Sequence, residues 1–171
     1  MSIVLQTTNL TKNYPKVKAV DQLNLQIERG NIYGILGPNG SGKTTTLGMV
    51  LGIIHPSQGQ YRWFGEAPTA ATYRRIGAIL ETPNFYPYLN AQRNLEIIAH
   101  IKRVGTQNIP ALIERVGLTG RGEMPFRAYS LGMKQRLAIA GALVGDPEVL
   151  IFDEPTNGLD PQGIVEVREL L

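Results

Sequence analysis

The most informative part of the sequence reads Gly37-Pro38-Asn39-Gly40-Ser41-Gly42-Lys43-Thr44-Thr45. It fits the pattern G-x-x-x-x-G-K-[ST], in which glycines let the backbone curl so that its N–H groups point at phosphate oxygens. In this pattern the lysine reaches the β- and γ-phosphates and the following hydroxyl sits on Mg²⁺, roles that fall to Lys43 and Thr44. The stretch, called the P-loop below, predicts a nucleotide-phosphate site with these candidate contacts: Gly37, Asn39, Gly40, Ser41, Gly42, Lys43, Thr44 and Thr45.

The flanks of the P-loop favour this interpretation over a glycine-rich surface turn. Residues 32–36 are mostly apolar and predict a buried strand before the loop. Residues 44–54, with Leu47, Val50 and Leu51 at helical spacing, predict an amphipathic helix after it. Strand, loop and helix in this order are the context in which the pattern binds phosphate.

The composition describes a globular chain. It has 171 residues, of which 43% are hydrophobic and 18% charged, enough for one domain, spanning residues 1–171, with a sizeable core. The absence of cysteine excludes disulfides, thiol chemistry and cysteine metal sites. The net charge of +3 is scattered and does not by itself indicate a nucleic acid or a membrane. No apolar run approaches the roughly 20 residues of a spanning helix, and the N-terminal residues do not resemble a secretion signal.

The pattern of apolar residues predicts an α/β fold. Strands are predicted over residues 2–10, 19–27, 60–64, 76–80 and 149–152, and helices over residues 68–75, 90–104, 109–116, 132–144 and from 160 onward. A turn is predicted over residues 12–16. Leu95, Ile98, Ala99 and Ile101 are expected on the buried face of the helix that Asn90 caps. Together these predict a P-loop NTPase core with a parallel sheet, N-terminal antiparallel strands and a helical subdomain inserted over about residues 88–145.

Two carboxylates follow the apolar run 149–152, which predicts a strand buried on both faces. Ligands bind at the C-terminal edge of open parallel sheets, where Asp153 and Glu154 would lie. Asp153 is expected to hold Mg²⁺ through one of the ion's water ligands, and Glu154 to polarise the attacking water as general base. The alternative is a solvated acidic turn, which the P-loop upstream makes the weaker interpretation.

With these motifs in place, the sequence resembles the ATP-binding subunits of ABC transporters over essentially its whole length. The resemblance rests on the P-loop, on Tyr129-Ser130-Leu131-Gly132-Met133-Lys134-Gln135-Arg136, and on residues 150–161. It implies binding of ATP and Mg²⁺ and hydrolysis of ATP to power transport. It also implies a transmembrane permease as partner, a second ATP-binding subunit in a head-to-tail dimer, and no nucleic acid. The expected location is the cytoplasmic face of the cell membrane.

The signature segment, residues 129–133, departs from the family's usual L-S-G-G-Q but keeps Ser130 and Gly132. The resemblance assigns these two residues to the γ-phosphate of the nucleotide held by the partner subunit. A hydroxyl and a backbone N–H at a helix N-terminus suit an anion. The alternative is that Ser130 only caps the helix. Asp160 belongs to the D-loop, residues 155–160, which the resemblance places at the same interface.

Glu81 stands where the family usually has a glutamine that ligates Mg²⁺, and a carboxylate can also ligate this ion. Together with the Tyr129 signature, it makes the chain similar to the branch that exports bacitracin, lantibiotics and similar peptides. Tyr14 matches the family's aromatic residue that stacks on adenine, the alternative being a tyrosine packed on the surface. Phe85, Tyr86 and Tyr88 are expected either in the core or where the permease docks.

The resemblance also predicts a switch histidine after the D-loop helix, whereas His55 and His100 lie upstream of it. We therefore expect an incompletely represented domain that binds Mg·ATP but turns it over slowly. A soluble ABC ATPase acting on nucleic acid or the ribosome is the main alternative. It would need a coiled coil before the signature or a second cassette, and the sequence contains neither. A P-loop kinase would leave Ser130, Gly132 and Glu154 unexplained.

Overall fold

The computed structural model describes residues 2–80, 84–121 and 123–170. They form two compact units that divide between Tyr73 and Arg74. Antiparallel strands come first, and a parallel pair of strands with helices follows, so the predicted α/β fold is confirmed. The helical subdomain over about residues 88–145 stays a prediction, because the second unit groups those helices with the parallel strands.

The first unit is built on a three-stranded antiparallel sheet. Its strands are β1 (Ile3–Tyr14), β2 (Val17–Glu28) and β3 (Gln58–Trp63), in the order β2-β1-β3. Tyr14 pairs with Val17, so the hairpin turn is only residues 15–16 and the predicted turn over residues 12–16 is too long. A turn of two residues is enough because the hydrogen-bonded pairing of β1 with β2 continues up to the turn on both sides.

The helix of the first unit, α1 (Lys43–Val50), is tied to β3 by the only tryptophan of the chain. Trp63 is 2% exposed, and its indole Nε1 donates a hydrogen bond of 2.7 Å to the carbonyl oxygen of Val50. Met49 and Val50 are also buried. A buried indole needs such a partner for its N–H. The short helix α2 (Ala70–Arg74) follows, and the division between the units falls within it.

The predicted buried strand over residues 32–36 is wrong. These residues form neither helix nor strand, and the side chains of Ile32 and Leu36 are 101% and 93% exposed. Apolar composition gives a segment a tendency to be buried, but a strand forms only when a neighbour pairs with its N–H and C=O groups. None of the strands in the described ranges pairs with this segment.

The second unit contains the parallel pair β4 (Ile76–Ile79) and β5 (Val149–Phe152), with Ile76 opposite Val149 and Ile79 opposite Phe152. Its helices are α3 (Ala91–Lys102), α4 (Ile109–Arg115), a 3₁₀ turn (Phe126–Ala128), α5 (Leu131–Leu143) and α6 (Pro161–Leu170). One apolar core joins these elements, and its fully buried members include Leu95, Leu118, Leu137, Ile139 and Val167.

Helix caps predicted from the sequence are confirmed in this unit. The Asn90 side-chain oxygen accepts a hydrogen bond from the Arg93 N–H at 2.9 Å. Asp160 Oδ1 accepts one from the Gly163 N–H at 2.9 Å, and Pro161 is the first residue of α6. Such caps satisfy N–H groups that have no partner inside the helix.

Two predictions of burial are wrong. Leu150 is 40% exposed, because β4 is the only described strand that pairs with β5 and the apolar run is therefore not enclosed on both sides. Ile101 is 71% exposed. Residues turn by about 100° along a helix, so Ile101 lies roughly 200° from the buried Ala99 and points away from the core.

Candidate nucleotide site

The P-loop leads directly into the N-terminus of α1. Gly42 precedes the helix with φ 93°, and Gly40 has φ 81°. A Cβ atom on Gly42 would lie 2.3 Å from the carbonyl oxygen of Ala19 in β2, so both the backbone conformation and the space require glycine. The N-terminus of α1 and the positive end of its dipole are directed into this loop, which therefore fits an anion such as phosphate.

Lys43 closes the loop on itself. Its ammonium donates hydrogen bonds to the carbonyl oxygens of Gly37 at 2.9 Å and Pro38 at 3.2 Å. The Ser41 N–H also donates to Pro38 at 3.2 Å. The loop carbonyls thus hold the positive charge of the ammonium within the P-loop, where it can neutralise phosphate charge. Asn39 lies in the same loop, and Thr44 and Thr45 lie in the first turn of α1.

Tyr14, the predicted base-stacking residue, is the last residue of β1, and its side chain is 42% exposed. The Lys12 ammonium lies 5.2 Å from the centre of its ring and donates a 2.8 Å hydrogen bond to the carbonyl oxygen of His55. No role was predicted for Lys12 from the sequence. Lys12 stands two residues before Tyr14 on β1, where side chains two apart share a face of the strand, but its contact with His55 arises only in the folded chain.

The two predicted acids lie at the end of β5 in different surroundings. The Asp153 N–H donates to the Ile79 carbonyl oxygen at 2.9 Å, which continues the pairing of β4 and β5, and Asp153 is 8% exposed. Glu154 is exposed and has φ 48°, a left-handed conformation that is uncommon for a residue other than glycine. Strained backbone of this kind is enriched at functional sites.

Asn157 was not assigned a role from the sequence, yet it contacts Glu154 directly. Its Nδ2 donates to Glu154 Oε2 at 3.2 Å, and its backbone N–H donates to the Glu154 carbonyl oxygen at 3.0 Å. Asparagine is one of the residues typical of turns, which was the available signal. The amide fixes the direction of the Glu154 carboxylate.

Ser130 caps α5, because its Oγ accepts a 3.3 Å hydrogen bond from the Met133 N–H. The preceding Tyr129 is buried and its hydroxyl donates to the Arg121 carbonyl oxygen at 3.1 Å. Burial raises the pKa of the Tyr129 phenol, which stays a neutral donor. A Cβ atom on Gly132 would meet no atom within 4 Å. The described residues therefore give no steric reason for glycine at position 132.

The signature segment and the D-loop touch within this unit. A Cβ on Gly158 would lie 3.3 Å from Leu131 Cδ2, and Gly158 has φ 75°. The structure thus brings Leu131 of the signature beside the turn that follows Glu154. Leu131 itself is 45% exposed.

Hydroxyl and carboxylate oxygens, the donors offered by Thr44 and Asp153, are the ligands that Mg²⁺ prefers. Thr44 belongs to the first unit and Asp153 to the second. Within the described ranges no group of three or more histidine, cysteine or acidic side chains is placed to hold a metal ion. Glu81 lies outside the described residues, so its role as a ligand stays a prediction.

The remaining candidates separate into core and surface. Phe85 packs against Phe126 with ring centres 5.2 Å apart, whereas Tyr86 and Tyr88 are 50% and 64% exposed and contact each other. His100 is exposed on α3. None of the helices in the part of the chain that is described is long and apolar enough to cross a membrane.

This combination of fold and motifs defines a known class of protein. The sequence matches the ABC transporter family over residues 20–157, and the chain therefore belongs to that family. The resemblance stated from the sequence is confirmed.

Individual relatives are similar over nearly the whole chain. It is 50% identical to the bacitracin transport ATP-binding protein BcrA of Bacillus licheniformis, covering 100% of this chain and 57% of that protein. It is 39% identical to the lantibiotic transport ATP-binding protein SrtF of Streptococcus pyogenes, covering 98% of this chain and 73% of that protein. The chain thus spans little more than half the length of BcrA.

Solved structures agree with the fold. An ATP-binding subunit of an ABC transporter has a TM-score of 0.86 at 27% identity, over 98% of this chain and 72% of that chain. A dimeric ATP-binding cassette in a post-hydrolysis state with ADP and Pi has a TM-score of 0.85 at 26% identity, over 97% of this chain and 80% of that chain.

Proposed function

We propose that this chain binds and hydrolyses Mg·ATP as the ATP-binding subunit of an ABC exporter. The observation that carries the proposal is the P-loop cradle. Gly42 is held against Ala19, α1 begins at the next residue, and the Lys43 ammonium is fixed between two loop carbonyls. The residues that would hold the phosphates are Gly37, Asn39, Gly40, Ser41, Gly42, Lys43, Thr44 and Thr45, with Tyr14 stacking on adenine.

The acids of the second unit supply the hydrolytic chemistry in this proposal. Glu154 polarises the attacking water, and its exposed position and the Asn157 contact support that role. Thr44, Asp153 and Glu81 would hold Mg²⁺, which neutralises phosphate charge when bound. Asp153 is buried and its backbone is anchored by the Ile79 carbonyl, which fixes the position from which its carboxylate extends.

A second ATP-binding subunit completes the site. Ser130 and Gly132 would contact the γ-phosphate bound by that subunit, in a head-to-tail dimer. The open space in front of Gly132 supports this, because a close approach from outside the chain explains a glycine that the chain itself does not require. The dimeric state of the similar ATP-binding cassette is consistent with it.

The exported compound is a peptide antibiotic or a similar molecule, and a separate transmembrane permease carries it. The support is the similarity to bacitracin and lantibiotic transport proteins. In this arrangement the chain lies on the cytoplasmic face of the membrane. Closing of the dimer on ATP and reopening after hydrolysis would drive the permease.

The proposal is tested by two substitutions with different expected effects. Lys43→Ala should weaken ATP binding about 10- to 100-fold, because a charge-assisted contact to phosphate is lost. Glu154→Gln should retain ATP binding and lower turnover by about 10²- to 10⁴-fold. Binding is measured by calorimetry and turnover by phosphate release. Lys18→Ala is the control, since that lysine is exposed and pairs with Asp21. Unchanged ATP affinity in Lys43→Ala would refute the proposal.

A further inference from the structure

The end of β1 carries a charged contact that no motif accounts for. Lys12 and Tyr14 are two residues apart on β1 and share a face of the strand. The Lys12 ammonium lies 5.2 Å from the centre of the Tyr14 ring, within the range of a cation–π contact. The same ammonium donates to the carbonyl oxygen of His55 at 2.8 Å.

His55 follows α1, so this contact joins the tyrosine to the segment behind the P-loop helix. Further hydrogen bonds join the same segments. The Asn13 N–H donates to Ser57 Oγ at 3.0 Å, and the Ser57 N–H donates to the Thr11 carbonyl oxygen at 2.8 Å. The strand end is therefore fixed relative to the segment after α1, and Lys12 is the only charged side chain in this set of hydrogen bonds.

We infer that Lys12 is a positioning residue for the purine base of the bound nucleotide. This rests on the proposed function, in which Tyr14 stacks on the base. Lys12 lies over one face of the Tyr14 ring, and in this inference the base stacks on the opposite face of this half-exposed tyrosine. Because Lys12 is anchored at His55, it also sets where the ring stands relative to the end of α1. A half-exposed tyrosine without this contact would sample several rotamers, and the base would have to order it on binding.

The test separates the base from the phosphates by comparing two ligands. ADP and pyrophosphate are each made to displace a ribose-labelled fluorescent ADP from the full chain. Lys12→Met keeps the length of the side chain and removes the charge. We expect its Kd for ADP to rise about three- to five-fold, with Kd for pyrophosphate unchanged. Lys12→Arg, which keeps a cation and a donor, should restore the affinity for ADP.

Two further variants make the outcome specific. In a Tyr14→Ala background, Lys12→Met should have no further effect on ADP, because the two residues act through one contact. Lys18→Met, at an exposed lysine paired with Asp21, is the matched control and should leave both ligands unchanged. Circular dichroism verifies that every variant is folded.

Equal weakening of ADP and pyrophosphate in Lys12→Met would overturn the inference, since it would show a general charge effect on phosphate. Additive effects of the Lys12 and Tyr14 substitutions would also overturn it. Failure of the proposed function looks different, because Lys43→Ala would then leave pyrophosphate binding unchanged.

Discussion

The P-loop and the signature segment both contain a glycine at the start of a helix, and the two glycines stand in opposite surroundings. A Cβ on Gly42 would lie 2.3 Å from the Ala19 carbonyl oxygen, and the residue has φ 93°. A Cβ on Gly132 would meet nothing within 4 Å, and its backbone has no positive φ. The first glycine is required by the chain's own atoms, and the second is not.

In the proposed dimer, the difference separates the part of the site that this chain forms alone from the part that a second subunit would complete. The P-loop is shaped by β2, α1 and its own carbonyls. The signature segment has a capped helix and an anchored tyrosine, but its glycine faces open space. This difference can be measured with three glycine-to-alanine substitutions, each compared with the unsubstituted chain by its free energy of unfolding.

The largest effect is expected for Gly42→Ala. Alanine there adopts a strained left-handed conformation and clashes with Ala19, so the free energy of unfolding should fall by roughly 2–4 kcal/mol. The P-loop should also lose its affinity for ATP. Chemical denaturation and calorimetry measure the two quantities. If Gly42→Ala has the same free energy of unfolding as the unsubstituted chain, glycine is not required at position 42 and the contrast with Gly132 is lost.

An intermediate effect is expected for Gly40→Ala. Gly40 also has a positive φ, 81°, but a Cβ there would meet no atom within 4 Å. Only the conformational strain of a left-handed alanine remains, and it should lower the free energy of unfolding by about 1–2 kcal/mol. The same denaturation experiment gives the value. If Gly40→Ala lowered the free energy of unfolding as much as Gly42→Ala, the clash with Ala19 would contribute little to the effect of Gly42→Ala.

The smallest effect on stability is expected for Gly132→Ala. Alanine is favoured over glycine in a helix. The free energy of unfolding of the chain alone should therefore be unchanged or rise by up to about 1 kcal/mol. ATP turnover should nevertheless fall, because the methyl group would occupy the space that the second subunit's nucleotide would approach in the proposed dimer. Denaturation and phosphate release are measured on the same sample. Unchanged turnover would remove the reason to assign Gly132 to an interface.

Local sequence signals predicted most of the fold correctly. Asn90, Ser130 and Asp160 all accept the capping hydrogen bonds expected of their residue types, because capping depends on a few adjacent residues. A parallel sheet was also expected from alternating strands and helices, and β4 and β5 pair in parallel. The P-loop pattern predicted Gly40 and Gly42 in conformations that favour glycine, and both have positive φ.

The errors concern residues whose environment depends on distant parts of the chain. Apolar residues 32–36 and Leu150 were expected in a buried sheet, yet burial requires neighbouring strands that the local pattern cannot supply. Lys12 was missed because its contacts are with Tyr14 and with His55, 43 positions away. Such contacts follow from the folded geometry and not from the spacing of one motif.

The indole of Trp63 has a practical consequence for spectroscopy. It is the only tryptophan of the chain, it is buried in the first unit, and it is bonded to the carbonyl at the end of α1. Intrinsic fluorescence excited at the indole band therefore reports on the unit that contains the P-loop and on no other. The far-ultraviolet circular dichroism signal comes from both units, so an unfolding transition that is seen by circular dichroism but not by tryptophan fluorescence belongs to the second unit.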